Sequence, residues 1–127
     1  MHLSVLNLSN LMISLWQGTI DCTQLDDKET WDCAVFQEGD ASKLHGKAVA
    51  DCLHYLPSSF DCPPHNIAEK LTSGYKAWEF LQYLYGLGPG LLLGVLPDKD
   101  YTNYCKLVFR MHLMNQHKIT QDSICKV

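Results

Sequence analysis

Residues 75–117 read YKAWEFLQYLYGLGPGLLLGVLPDKDYTNYCKLVFRMHLMNQH, and their periodicity decides the fold class. In 75–87, Trp78, Leu81 and Leu84-Tyr85 recur at spacings of three and four, the apolar stripe of a helix with 3.6 residues per turn, opposed by Lys76, Glu79 and Gln82. GLGPGLLLGVLP (86–97) breaks the pattern with four glycines and Pro89 ahead of Pro97, so it reads as a helix–helix elbow. From residue 98 the stripe resumes for about five turns, with Tyr101, Tyr104-Cys105, Val108 and Met111 inside and Asn103, Lys106 and Arg110 outside. The expectation is a helical pair packed through Trp78, Leu81, Tyr85, Tyr104, Val108 and Met111.

Toward the N-terminus, MHLSVLNLSNLMISLWQG (1–18) is dense in apolar residues, yet it is expected to be neither a leader nor an anchor. Asn7, Asn10, Ser14 and Gln17 fall on one narrow helical stripe, while Val5, Leu8, Leu11, Met12, Leu15 and Trp16 cover the rest. A secretory leader would carry an early Lys or Arg and a small-residue cleavage site; here the first Lys or Arg is Lys28 and Gly18-Thr19-Ile20-Asp21 is a poor site. A spanning helix needs roughly 20 mostly apolar residues. The segment reads as a buried amphipathic helix, and a chain starting with one is expected to be cut from a larger domain.

Between these regions, 19–40 is acidic and irregular, with Asp26 or Asp27 expected to cap a short helix through Trp31 and Val35 that Gly39-Asp40 ends. SKLHGKAVADCLHYL (42–56) puts Leu44, Ala48, Cys52 and Tyr55 on one helical face, stopped by Pro57. PSSFDCPPHN (57–66) is a proline-rich loop, IAEKL begins another helix, Ser73-Gly74 is a break, and Thr120 can cap a last helix. No period-two pattern runs for more than a few residues. The class is mainly α with no substantial sheet, in a single partial domain: a helix over 1–18, an acidic, loop-rich segment over 19–66 and a helical region over 67–127.

The 127 residues allow one domain, and the net charge of −4 hides an asymmetry. Residues 1–61 hold nine acidic and three basic side chains, residues 62–127 five and seven, and Arg110 is the single arginine. A self-sufficient nucleic-acid binder shows a clustered Lys/Arg face; this composition predicts weak, non-specific contact with DNA at most. Six cysteines (22, 33, 52, 62, 105, 125) would suggest disulfides in a secreted chain, but without a leader the expected compartment is intracellular, nuclear or cytoplasmic, where thiols behave as small hydrophobes.

GLGPG is not a phosphate-cradling loop, because it follows a helix and leads into Leu-Leu-Leu rather than Lys-Ser/Thr. Cys52-x-His54 and Cys62-x-x-His65 bring four metal-competent donors within fourteen residues, a candidate zinc site. A helix through 52 and 54 would aim them about 200° apart, which weighs against it. No membrane or small-molecule partner is indicated, and no Ser/His/acid or Cys/His arrangement stands out.

One ordered string is more specific. MHLSVLNLSNLMISLWQGTIDC, then DDKETWD, then LPSSFDCPPHNIAEKLTSGYKAWEFLQYLYGLGPGLLLGVLPDKDYTNYCKLVFRMHLMNQHKIT resembles the central part of Plavaka-type transposases, the CACTA-like cut-and-paste elements of fungal genomes. The stretch Leu56 to Thr120 is the most specific part. The resemblance implies an RNase H-like core whose three acids hold Mg²⁺ or Mn²⁺ for two-metal phosphodiester chemistry. His2 corresponds to the histidine of the family's Asp-x-x-His motif, whose Asp would lie two positions before Met1. This chain would then be the helical insertion between the second and third acids, a fragment without catalytic residues or a resident cofactor. Asp21, Asp26, Asp27 and Asp32 have no family counterpart as ligands. Cys33 stands where the family has a tryptophan, and His65 where it has an arginine, the latter removing a possible phosphate contact. The implied partners are DNA, weakly, or a related transposase chain. The alternatives are a retained protein- or DNA-binding module and a small zinc-stapled or secreted cysteine protein.

Overall fold

The computed structural model describes residues 2–23, 26–37, 39–57, 64–70, 75–116 and 120, the side chains of 2–5, 53 and 70 excepted. Every regular element among them is helical. The long ones are α1 (His2–Trp16), α2 (Gly39–Asp51) and, nearer the C-terminus, α6 (Asp98–Met114). Between α2 and α6 lie three single-turn helices, α3 (Ile67–Lys70), α4 (Ala77–Phe80) and α5 (Gly88–Leu91). A π-helical segment, Leu81–Leu87, joins α4 to α5. No helix among the described residues is long and apolar enough to cross a membrane.

α1 ends where glycine permits it to. Gly18 takes φ +65°, and the N–H groups of Gly18 and Thr19 return to the carbonyls of Leu15 and Ser14 at 3.1 and 2.9 Å. This is a Schellman closure, which satisfies two of the carbonyls a helix end leaves open. The Phe36 N–H then bonds the Trp16 carbonyl at 2.8 Å, fastening the following loop to the same end. The face α1 buries is Ser9, Ile13 and Trp16; of the apolar positions of its pattern, Trp16 is buried and Leu11 is 56 % exposed.

The 19–40 region differs from expectation in extent. Asp27 does cap a helix, its carboxylate accepting from the Glu29 N–H at 3.1 Å, but that helix is one 3₁₀ turn, Lys28–Thr30. Gly39 and Asp40 open α2 instead of closing a helix before it. α2 was expected to pack through Leu44, Ala48, Cys52 and Tyr55; it buries His45, Gly46 and Val49, leaving Leu44 73 % and Tyr55 87 % exposed. The reason is spatial. Gly46 lets α3 approach so closely that a Cβ there would sit 2.0 Å from Asn66 Oδ1, which fixes the contact face on the glycine's side.

The core gathers α1, α2, α4, the π-helical segment and α6. Val49, Leu84 and Leu92 are fully buried, with Ile13, Trp16, Phe80, Tyr83, Leu96, Tyr104, Val108 and Met111 around them. Trp16 and Tyr104 meet edge to face at 5.5 Å, a favoured aromatic geometry. The inner face of α6 agrees with its sequence pattern: Tyr104, Val108 and Met111 are buried. That of 77–87 agrees only in part. Trp78 is half-buried and Leu81 lies at the surface, while Ala77, Glu79, Phe80, Tyr83, Leu84 and Tyr85 are buried. Hydrogen bonds spanning five residues widen each turn, so positions four apart, Phe80, Leu84 and Gly88, stay in line and the α-helical phase is lost.

The chain reverses after GLGPG rather than within it. Gly88–Leu91 is helical, and the turn comes at residues 92–97, where Gly94 has φ +73°. Pro97 then leads into α6, with Asp98 and Asp100 in the first turn, where acids favour the helix dipole.

Candidate functional site

Three polar arrangements among the described residues, none of them visible as a motif, are chemically specific. The first surrounds Pro89. Proline has no N–H, so the carbonyls four and five residues before it, Tyr85 and Leu84, receive nothing from position 89. Two side chains of α6 supply the donors: Tyr104 Oη–H donates to the Leu84 carbonyl, and His112 Nε2 lies 2.7 Å from that of Tyr85. A carbonyl can only accept, so Nε2 of His112 carries the hydrogen. Tyr101 Oη–H donates to the carbonyl of Pro89 itself at 2.6 Å. Gly88 is required beneath them, since a Cβ there would fall 2.0 Å from Tyr104 Oη.

The second arrangement is Glu79. Its Oε2 accepts the Lys76 N–H at 2.9 Å, the N3-to-N-cap half of a capping box. Its Oε1 takes the His65 ring at 2.5 Å and the His65 N–H at 3.3 Å. Burial alone would raise this carboxyl, but the bonds from Lys76 and His65 outweigh it and hold the group below its ordinary value of 4.5. The carboxylate thus ties residues 64–66 to the start of α4. Tyr75 reinforces the tie by donating to the His65 carbonyl at 3.2 Å.

The third is His45, 7 % exposed, whose Nε2 lies 2.7 Å from Tyr83 Oη. Phe36 stacks at 4.6 Å with its ring tilted 34°. Desolvation lowers the imidazole to about 4 and pushes the Tyr83 hydroxyl well above its ordinary value, so both are neutral at pH 7.

The described residues among those singled out in the sequence are not brought together as metal ligands. Cys52 begins a 3₁₀ turn, Cys52–Tyr55, and burial raises its thiol, which opposes the thiolate a zinc ion needs. His54 is exposed, and Cys62 lies outside the described residues. His65 is already engaged by Glu79. Among the described residues no three His, Cys, Asp or Glu side chains group to hold a metal. Cys22, Cys33, Cys52 and Cys105 are free thiols. The side chain of His2 is outside the described set, as are His117, Ser73-Gly74 and the expected last helix after Thr120.

The Asp21, Asp26, Asp27 and Asp32 side chains are exposed, and two have local duties: Asp26 accepts the Trp31 indole N–H at 3.0 Å and Asp27 caps its 3₁₀ turn. The sequence pattern places Glu79 on the outward face and makes no assignment for His45. The available signals were a glutamate at N3 after a break and a histidine beside a close-approach glycine.

No protein-family model matches the chain, and no curated protein or solved structure matches it either.

Proposed function

We propose that this chain is a helical piece of a Plavaka-type, CACTA-like transposase, equivalent to the insertion between the second and third catalytic acids, and that it performs no DNA cleavage alone. The observation carrying this reading is the ordered resemblance from Leu56 to Thr120, together with His2 at the tail of an Asp-x-x-His motif. The all-helical architecture of the described residues supports it. In the parent reaction carboxylates would hold two Mg²⁺ or Mn²⁺ ions; here Asp26 and Asp27 are committed to an indole and to capping.

The test is incubation of purified protein with supercoiled DNA and Mg²⁺ or Mn²⁺. No nicking is expected above buffer. Cleavage that survives repurification and disappears when Asp21, Asp26, Asp27 and Asp32 are replaced by Asn would overturn the reading. Extending the genomic frame upstream of Met1 gives a second check: the resemblance requires an in-frame Asp-x there.

One observation favours a second reading, a retained DNA-contacting module. Lys99, Asn103, Lys106 and Arg110 follow each other at spacings of four, three and four on the exposed side of α6, beside the half-exposed Phe109. Three cations release few counterions, so binding to duplex DNA is expected to be weak and lost between about 50 and 200 mM salt. Tight binding with a flat salt response would favour this module over the fragment reading.

A further inference from the structure

The contact between α2 and the π-helical segment depends on a histidine that has nowhere to put a charge. Its surroundings are Ile13, Trp16 and Gln17 of α1 and its end, Phe36 of the following loop, Ser42 of α2 itself, Ile67 of α3 and Tyr83. Of these, only Tyr83 titrates, and none is charged at neutral pH. The charged groups on α2 itself, Asp40, Lys43, Lys47 and Asp51, are exposed to water.

In the neutral pair, Tyr83 Oη–H can donate to Nε2 while Nδ1 carries the ring proton. In the cation both ring nitrogens are donors. Tyr83 must then turn to accept, and its own hydroxyl hydrogen loses the His45 ring as acceptor, while the cation sits among uncharged groups. A desolvated cation and a displaced donor are both costly. Moving α2 away relieves both at once.

We propose that the His45–Tyr83 contact is an acid-operated latch, in which proton uptake at His45 releases α2 from the wall formed by Trp16, Phe36, Ile67 and Tyr83. Release uncovers Ile13, Trp16 and Tyr83, an aromatic-rich surface closed at neutral pH. The direction follows from linkage: the folded pocket, at about 4, refuses a proton that the opened segment accepts near 6.5. The latch is therefore fully closed above pH 6.5 and is progressively lost as pH falls toward 4. Between pH 7.5 and 5 the opening equilibrium should rise roughly 30-fold.

Hydrogen exchange of the α2 amides in the full chain, corrected for intrinsic exchange, measures that equilibrium. Wild type should show the roughly 30-fold increase, and His45→Gln, which keeps an acceptor for the Tyr83 hydroxyl but cannot titrate, should change less than about threefold. Glu79→Gln should retain the wild-type response at α2, separating the latch from the other acid-sensitive carboxylate. Equal responses in wild type and His45→Gln would overturn the proposal. Should His45→Gln fail to fold, NMR titration of the His45 ring in wild type decides: a ring that titrates near 6.5 without change in α2 exchange refutes the latch, and one that stays neutral until α2 opens supports it.

Discussion

Tyr104→Phe and Pro89→Ala should not be additive, and the size of their coupling follows from the hydrogen bonds around the proline. Phenylalanine keeps the ring, hence the edge-to-face contact with Trp16, and removes only the hydroxyl that donates to the Leu84 carbonyl. Leu84 is fully buried and Tyr104 is 2 % exposed, so water does not replace the lost donor. An orphaned buried acceptor costs about 1–3 kcal/mol, a sizeable part of the ~5–15 kcal/mol that holds a domain together. Alanine at position 89 restores a backbone N–H within reach of the carbonyls of Leu84 or Tyr85. In that background the loss of the Tyr104 hydroxyl should cost at least about 1 kcal/mol less. Urea unfolding at pH 7, followed by the fluorescence of the three tryptophans and by far-UV circular dichroism, gives the four stabilities of the cycle. If the cost of Tyr104→Phe is the same in both backgrounds within about 0.5 kcal/mol, the hydroxyl is not compensating for the proline and the reasoning fails.

Glu79→Gln should lose about 1.5–3 kcal/mol at pH 7, because two N–H donors and the His65 ring lose a charged acceptor. The Glu79 carboxyl is held below 4.5, so its contribution is complete above that value and is lost as pH falls through the folded pKa; the variant's acid limb should be flatter, and an unchanged limb would discount the anchor. Trp16→Ala should destabilise by about 3–5 kcal/mol and Trp78→Ala by less, since Trp16 is 2 % exposed and Trp78 only half-buried. The reverse order in denaturant melts would mean that the core is centred elsewhere.

The helical class was legible because amphipathic spacing reports on helix against strand even when its phase is misjudged. α1 and α6 form where their patterns stand, and α2 overlaps its own, opening at Gly39 and passing into a 3₁₀ turn at Cys52. Phase is the weaker signal, because it assumes a 3.6 repeat and an outward place for every polar side chain. Residues 77–87 violate both assumptions, through the π-helical segment and through the buried Glu79. α2 violates the second at His45, and its exposed Leu44 shows that apolarity alone does not select the buried face. Gly46 carries more information there than any hydrophobe, because only a missing side chain admits Asn66.

The same logic bears on Pro89 and His65. A proline inside a helical run is a statement about two carbonyls as well as about a bend, and it demands donors from whatever packs alongside. Tyr104 and His112 lie eight residues apart on α6, near enough in phase to reach adjacent carbonyls of one neighbouring segment. That pairing was available in the sequence to a reader who asked where the displaced hydrogen bonds go. His65 was read as a departure from an arginine that would have touched phosphate, yet its ring lies 2.5 Å from Glu79. A guanidinium at that position would meet the same buried carboxylate. A basic side chain at position 65 therefore has a structural use that requires no nucleic acid, and histidine rather than arginine there says nothing by itself about DNA contact.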